Sequence, residues 1–159
     1  MTTSRSRSIG PVSRSGCVGW LSDGSLRHAR RNRGGILRIL LVEDDPMNVE
    51  LFESALETDG HEVVTERDGE AGERRASDQF DLILLDIQLP KKSGLDVCRS
   101  LRARGVRTPI VALSASVLPD EVARTTSAGF DSFLSKPISP RELRVAVRRA
   151  VAPGHAAAG

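Results

Sequence analysis

Asp86 stands at the end of a short apolar run, a position at which a carboxylate can be a reactive group. It directly follows residues 82–85, and the loop after it contains Pro90 and Gly94, which keep that loop non-helical. An apolar run of this length is typical of a strand buried on both faces of a parallel sheet. Such sheets bind ligands in the crevice beyond the carboxyl ends of their strands. Asp86 is therefore placed to react there, or it only caps the helix that begins near Leu95.

Other chemically capable residues follow three more apolar runs of the chain. In order, they are Asp44 and Asp45, then Ser114, then Lys136. Because the carboxyl ends of parallel strands share one edge of a sheet, we expect them to converge with Asp86. Crowded carboxylates repel one another, so this set is stable only if a lysine and a divalent cation offset the charge. A cation held by carboxylates and carbonyls beside a phosphate is Mg²⁺ more naturally than zinc.

The segments that would position these residues alternate between strand and helix. Five apolar runs of β character are each followed by a segment with apolar residues at helical spacing. Strands joined in this way are parallel, with right-handed crossovers and helices on both faces. The pattern predicts an α/β fold, a doubly wound five-stranded parallel sheet over residues 36–151. The predicted strands begin at Ile36, His61, Phe80, Ile110 and Asp131.

The fourth predicted helix, residues 118–128, is poorly amphipathic. It carries the sequence ARTTSAG where a core helix would carry leucines. Since most helical stability in proteins comes from packing an apolar face, we expect this helix to be marginal and mobile.

Charge is distributed unevenly along the chain. Residues 1–35 carry seven arginines against Asp23, a net charge of +6, which leaves 16 basic and 20 acidic residues, or −4, for the remainder. An arginine- and serine-rich stretch without periodicity predicts a disordered extension, with contact to nucleic acid or anionic lipid as the alternative. The acidic remainder has few aromatic residues and no electrostatic footprint for nucleic acid. Residues 152–159 are expected to form a flexible tail.

Cysteine content and hydropathy bear on the cellular compartment. Cys17 and Cys98 lie far apart and form neither a disulfide framework nor a zinc motif, which suits a reducing environment. No apolar run is long enough to span a bilayer, and no apolar segment of a secretion signal follows the N-terminus. These observations predict a cytoplasmic protein without membrane association.

Four segments of the chain together resemble the receiver domain of two-component response regulators. They occur in the order and with the spacing of that family and cover essentially all of residues 36–151. The resemblance is greatest to stand-alone receivers and to those attached to hybrid histidine kinases. It implies a (βα)5 flavodoxin-like fold with strand order 2-1-3-4-5. The segments are ILLVEDDPMN, LILLDIQLPKKSG, PIVALSA and GFDSFLSKPI.

The resemblance implies a role for each polar residue at the sheet edge. Asp86 would be the phosphoacceptor, attacking a phosphohistidine on a histidine kinase or phosphotransfer protein. Asp45, Asp86 and the backbone carbonyl of Gln88 would bind Mg²⁺ directly, and Asp44 would act through a water. Phosphoryl transfer needs mainly alignment and charge neutralisation, which the cation and Lys136 can supply.

Switching residues are implied in the same way. Ser114 would hydrogen-bond the phosphoryl group and move inward together with Phe133, which reshapes the surface of the fourth helix, the fifth strand and the last helix. That surface would bind a target or relay the phosphate onward. Phe133 as an ordinary core residue is the alternative. The Lys136–Pro137 bond is a candidate cis peptide, and Glu43 is expected to be a solvated or pocket-edge acid instead of a ligand.

The resulting protein is expected to be a phosphoacceptor with phosphotransfer and autodephosphorylation chemistry, not an enzyme. It would be a monomer or a weak phosphorylation-dependent dimer. Three alternatives remain. A haloacid-dehalogenase-like phosphatase usually needs a second aspartate where this chain has Gln88. A nucleotide- or flavin-binding module would place a phosphate-cradling loop where this chain has EDDP. The third is a receiver-like module that binds partners without being phosphorylated.

Overall fold

Five short apolar strands form one parallel sheet in the order β2-β1-β3-β4-β5, as predicted. The computed structural model describes residues 35–152 of the chain. The predicted disordered extension, residues 1–35, and the predicted tail, residues 152–159, therefore lie almost wholly outside the described residues. The strands are β1 (Arg38–Val42), β2 (Glu62–Glu66), β3 (Leu82–Asp86), β4 (Ile110–Ser114) and β5 (Ser132–Ser135).

A helix follows each strand, and most of the helices begin at a recognisable start signal. Side-chain caps come from Asp45, Asp68, Ser93 and Ser139, each of which accepts a backbone N–H of the first turn. Within residues 35–152, no helix has the length and apolar character needed to cross a bilayer. The helices are α1 (Pro46–Thr58), α2 (Gly69–Arg75), α3 (Gly94–Ala103), α4 (Pro119–Ala128) and α5 (Pro140–Ala150).

The core has two halves, one on each face of the sheet. Strands β3 and β4 are buried along their whole length, and their successive side chains point alternately to the two faces. Helices α1 and α5 cover the face that contains Leu41 and Leu84, whereas α3 packs on the face that contains Leu85. Because both faces of the central strands are covered, these strands can meet ligands only at their ends.

The register of the sheet brings the carboxyl ends of its central strands level with one another. At these ends Val42 pairs with Leu85, Asp86 pairs with Leu113, and Ser114 pairs with Ser135. The residues that follow β1, β3, β4 and β5 therefore meet along one edge of the sheet, as the sequence predicted.

Helix α4 has a different environment at each end. At its start, Leu118 occupies the cap position and makes no side-chain capping bond. Of the residues in the helix, only Thr125 and Ala128 are buried. This sparse burial agrees with the predicted poor amphipathy.

The carboxyl end of α4 is held by Arg102 of α3. The guanidinium donates from Nε to the Gly129 carbonyl at 2.9 Å and from NH2 to the Asp131 carboxylate at 2.7 Å. It also donates to the carbonyls of Val106 and Thr108, at 2.9 and 3.0 Å. One arginine thus satisfies carbonyls on both sides of β4 and fixes the turn that joins α4 to β5.

The turn before β2 contains a histidine that must be neutral to make its hydrogen bond. Nδ1 of His61 accepts the backbone N–H of Leu37 at 3.3 Å. Burial lowers the pKa of His61, and the carboxylate of Asp59 opposes this shift only in part. The lowered pKa therefore favours the unprotonated ring that accepts from Leu37.

We predict that His61 makes the fold less stable in mild acid. Its folded-state pKa lies below the ordinary value of 6.5, so the unfolded chain binds more protons between the two values. This contribution to the free energy of unfolding is complete above pH 6.5 and is lost as the pH falls toward the folded pKa. Urea unfolding at pH 7.5 and pH 5.5 should show a larger loss for the wild type than for His61→Gln. Equal losses would contradict this role.

Candidate functional site

Asp86 is the last residue of β3 and lies at the floor of the crevice at the sheet edge. It is only 3% exposed. Its Oδ2 accepts a hydrogen bond from Lys136 Nζ at 2.7 Å, and its Oδ1 accepts the backbone N–H of Gln88 at 2.9 Å. Both oxygens are therefore oriented by donors from other parts of the chain, which fixes the direction of the carboxylate.

Lys136 reaches this carboxylate from the end of β5. Its backbone N–H donates to the Ser114 carbonyl at 2.7 Å, which continues the β4–β5 pairing by one residue. The Lys136–Pro137 peptide bond is cis, as the resemblance implied. Burial alone would lower the pKa of Lys136, but the carboxylates of Asp86 and Glu43 outweigh burial and raise the pKa above its ordinary value. The ammonium is therefore fully charged at neutral pH.

Glu43 is the residue for which the structure departs most from expectation. We expected a solvated or pocket-edge acid, but Glu43 is 0% exposed, and its Oε2 lies 2.8 Å from Lys136 Nζ. Its backbone N–H donates to the Glu66 carbonyl at 3.1 Å, so the β1–β2 pairing extends one residue further than the strand itself. This extension carries the Glu43 side chain into the crevice, where it becomes a second buried partner of Lys136.

Burial also changes the acidity of Glu43. Its loss of solvent raises the pKa, the Lys136 ammonium opposes this shift, and repulsion from the Asp86 carboxylate adds to it. The Oε2 atom is buried, and despite its short distance to Lys136 it has no hydrogen bond of acceptable geometry among the described residues. This oxygen retains the capacity to accept from, or bind, a further positive group.

Three carboxylates form a cluster that could hold a metal ion. Oxygens of Glu43, Asp44 and Asp86 all lie within 4.8 Å of one another. Asp45, which the sequence-based ligand set included, is not a member of this cluster. Of the three acids after β1, the cluster therefore contains Glu43 and Asp44.

The first turn of α1 explains why Asp45 is directed elsewhere. Pro46 opens the helix, and the residue before a proline favours extended backbone, which Asp45 adopts at φ −76° and ψ 115°. In that position Asp45 is the helix cap, and its Oδ1 accepts the Met47 N–H at 2.9 Å. Its carboxylate is engaged with the helix N-terminus, and its own N–H donates to Glu43 Oε1 at 3.2 Å.

The chemistry of the cluster fits a hard divalent cation. Three carboxyl groups face a single ammonium, so Lys136 leaves negative charge in the pocket without a partner. Carboxylate oxygens are the ligands that Mg²⁺ prefers, and a dication supplies the missing charge. Glu43 Oε2, which lies beside the Lys136 ammonium, is a further acceptor for the cation or its hydration shell.

The loop after Asp86 turns back sharply onto the strand. The Gly94 N–H donates to the Ile87 carbonyl at 2.9 Å. A Cβ atom at Gly94 would lie 2.1 Å from the Asp86 carbonyl oxygen, so the position requires glycine. This close approach keeps Gln88, the predicted carbonyl ligand, on a short loop that begins and ends beside Asp86.

Ser114 lies on β4, the neighbour of β3, and Phe133 lies on β5, the edge strand beyond β4. Ser114 is buried at the end of β4, and its hydroxyl donates to the Ser116 carbonyl at 2.8 Å while it accepts the Ser116 N–H at 3.1 Å. Phe133 is 39% exposed on the edge strand β5. The alternative that Phe133 is an ordinary core residue is therefore wrong.

Comparison with known proteins assigns this architecture to a family. Residues 39–148 match the family described as the response regulator receiver domain. The chain belongs to this family, the receiver domains of two-component systems.

Relatives in this family occur in several kinds of protein. The chain is 42% identical over 114 residues to the response regulator protein PmrA of Pseudomonas aeruginosa, a match that covers 70% of this chain and 51% of PmrA. It is 42% identical over 117 residues to the aerobic respiration control sensor protein ArcB of Escherichia coli, covering 71% of this chain but 15% of ArcB. The identity to the two-component response regulator ORR41 of Oryza sativa is 41% over 115 residues, a match that covers 69% of this chain and 91% of ORR41. Several relatives are thus much longer than the matched region.

Solved structures share the fold. The receiver domain of a sensor histidine kinase from Pseudomonas aeruginosa, described with a magnesium ion coordinated in its active-site cleft, has a TM-score of 0.67 and 34% identity, covering 74% of this chain and 98% of that one. The chemotaxis response regulator CheY4 of Vibrio cholerae has a TM-score of 0.67 and 26% identity, and the match covers 73% of this chain and 99% of CheY4.

We predict that the adjacent residues Asp44 and Asp45 differ sharply in their effect on Mg²⁺ binding. Asp44→Asn removes a charge from the cluster and should weaken the affinity about tenfold or more. Asp45→Asn keeps a good helix cap and should change the affinity less than about twofold. Isothermal titration calorimetry on the two variants is the measurement. A larger loss for Asp45→Asn would restore the ligand set first drawn from the sequence.

Proposed function

We propose that Asp86 is a phosphoacceptor, which takes a phosphoryl group from a phosphohistidine on a histidine kinase or phosphotransfer protein. A carboxylate oxygen of Asp86 forms a bond to phosphorus, and the phosphorus–nitrogen bond of the donor breaks as the imidazole leaves. The observation that carries this proposal is the position of Lys136 Nζ, 2.7 Å from Asp86 and 2.8 Å from Glu43 at the open edge of the sheet. Membership of the receiver family supports it.

The acidic cluster would hold Mg²⁺ during this reaction. Glu43, Asp44, Asp86 and the backbone carbonyl of Gln88 would provide the protein ligands. When bound, the cation neutralises charge on the transferring group and allows an anionic phosphate to approach the carboxylates. Two observations support the assignment: the mutual distances of the three carboxylates, and the net negative charge that Lys136 leaves uncompensated.

Lys136 has a second function once the phosphoryl group is in place. Before transfer, its ammonium is shared between two carboxylates in the crevice. A phosphorylated Asp86 carries its charge on the phosphoryl oxygens, which then become the ammonium's strongest partners. The exchange requires no large motion of the lysine, because it already lies within hydrogen-bond distance of the reacting carboxylate.

Ser114 and Phe133 would convert phosphorylation into a change of surface. The Ser114 hydroxyl donates its proton to the Ser116 carbonyl, so it must give up that bond to donate to a phosphoryl oxygen. The phosphoryl group can shift the equilibrium only through contacts that differ between the two states, and this exchange is one of them. Phe133 is exposed on the adjacent strand, and an inward move of its ring would change the α4–β5–α5 surface.

The partners follow from this chemistry. The phosphodonor would be a histidine kinase or a histidine phosphotransfer protein, and the altered surface would bind a downstream protein or pass the phosphate onward. Some relatives are sensor kinases, including ArcB and the sensor histidine kinase AruS of Pseudomonas aeruginosa, which supports a kinase as donor. The protein would act in the cytoplasm as a signalling protein with slow autodephosphorylation instead of as a turnover enzyme, as a monomer or weak phosphorylation-dependent dimer.

We predict that acetyl phosphate labels the protein only when Mg²⁺ is present and that Asp86→Asn abolishes labelling. The variant retains the shape of the side chain but lacks the nucleophilic carboxylate. Phos-tag electrophoresis and intact-mass spectrometry measure the product. Asp96→Asn, which changes an exposed aspartate of α3, is the matched control and should be labelled like the wild type. Labelled Asp86→Asn would assign the nucleophile elsewhere, and sustained turnover of an aryl phosphate would favour the phosphatase alternative.

We predict that Ser114→Ala separates phosphorylation from switching. Its Asp86 carboxylate is intact, so labelling should persist. Without the hydroxyl, the phosphoryl group loses a partner that distinguishes the two states, and the response of residues 115–128 should be reduced. Hydrogen exchange with and without acetyl phosphate measures that response. Ser132→Ala, at the opposite end of the sheet on β5, should respond like the wild type. A full response from Ser114→Ala would exclude Ser114 as the coupling residue.

A further inference from the structure

The loop between β3 and α3, residues 87–93, is attached on its outer side to the start of α2. The Gly69 N–H donates to the Pro90 carbonyl at 3.1 Å, and the Lys92 N–H donates to the same carbonyl at 2.8 Å. A Cβ atom at Gly69 would lie 1.8 Å from the Lys92 carbonyl oxygen. The two backbones are therefore in direct contact, with no room for a side chain between them.

Two lysines of this loop pair with acids at the two ends of α2. Lys91 lies 3.1 Å from the Asp68 carboxylate, but its side chain is 56% exposed. Lys92 pairs with Glu73, at side-chain exposures of 29% and 22%, and also donates to the Ser100 hydroxyl at 2.9 Å. Lys92 thus connects the loop to α2 and α3 at once, in a less solvated setting than that of Lys91.

The other half of the same loop is part of the acidic crevice. The Gln88 N–H is bonded to Asp86 Oδ1, and the carbonyl of Gln88 is the one protein ligand in the proposed set that comes from backbone. A backbone carbonyl is placed only as accurately as the loop that carries it. Mg²⁺ demands near-ideal octahedral geometry, so a small displacement of this loop is costly to its binding.

We propose that Lys92 is a positioning residue for the metal and phosphoryl site, acting through the loop that carries Gln88. It touches neither the carboxylate cluster nor the transferring group. Its ion pair with Glu73 and its bond to Ser100 hold the outer side of the loop, so that the inner side presents the Gln88 carbonyl in one place. This inference rests on the proposed function, because it assigns a positioning residue to the same Mg²⁺ site.

The direction in which Mg²⁺ affinity changes on loss of Lys92 distinguishes a positioning role from a general electrostatic effect. Removing a positive charge near an acidic cluster should, by charge alone, strengthen the binding of a cation. If Lys92 positions a ligand, its loss should weaken Mg²⁺ binding in spite of the more negative surroundings. Lys91 is the matched control, since it is the adjacent lysine of the same loop and also pairs with an acid, in its case Asp68 at the start of α2.

The test is calorimetric titration of the unphosphorylated 159-residue chain with Mg²⁺. Lys92→Met keeps the apolar stem and should weaken the affinity about tenfold, the range typical of residues that support metal ligands. Lys92→Arg should retain most of the affinity, and Lys91→Met should leave it unchanged or slightly stronger. The proposal would be overturned if Lys92→Met bound Mg²⁺ with an affinity within twofold of the wild type. It would also be overturned if Lys91→Met lost as much Mg²⁺ affinity as Lys92→Met.

Two further measurements keep the outcome unambiguous. If Lys92→Met does not fold, as judged by thermal denaturation, Glu73→Gln removes the same ion pair with the lysine in place, and an affinity within twofold of the wild type would overturn the proposal. Labelling by acetyl phosphate is measured in parallel. A wild type that is not labelled contradicts the proposed function, whereas a labelled wild type with an unaffected Lys92→Met contradicts only the role of Lys92.

Discussion

Compensation of negative charge in a confined space governs this structure. Two buried acids, Glu43 and Asp86, share the ammonium of Lys136, and Asp44 stands beside them with no cationic partner in the cluster. Carboxylates brought this close are stable together only when positive charge is supplied. The sheet imposes the proximity, because β1, β3 and β5 must end at the same edge. The result is a pocket whose charge balance is left incomplete by the protein and completed by what binds there.

Covering both faces of the sheet makes that edge chemically distinct. Strands β3 and β4 are buried along their whole length, and each has a polar side chain, Asp86 or Ser114, at its carboxyl end in the crevice. The backbone approaches at Gly94 and Gly69 then hold the loop beside Asp86 without intervening side chains. A rigid core and a closely packed loop together allow a few polar groups to stay in place with little freedom to rearrange.

The sequence predicted the sheet and three site residues for the same reason. Asp86, Ser114 and Lys136 each end or follow an apolar strand, and strand ends are easy to locate when a run is continuous. The acids after β1 were harder, because three of them are consecutive and the strand pairing extends to Glu43. Pro46 was the available signal, since it marks the residue before it as a helix cap and so removes Asp45 from the crevice.

Contacts between distant segments had no comparable signal in the sequence. Lys92 and Glu73 are 19 positions apart, and nothing in the local pattern around either residue indicates that they pair. The four bonds of Arg102 are of the same kind, because they depend on how α3 packs against the ends of β4 and α4. Such contacts arise only once the tertiary arrangement exists, so periodicity and spacing do not reveal them.

The two ends of α4 are held by different contacts, which bears on how this helix could move. Arg102 pins its carboxyl end at Gly129, while its first turn, beginning after Leu118, has no side-chain cap. With ten residues, α4 is about 15 Å long. If α4 rotated about the end that Arg102 holds, its first turn would be displaced most. Under the proposed switching, a shift of the Ser114 hydroxyl would therefore change the surface at the first turn of α4 more than at Gly129.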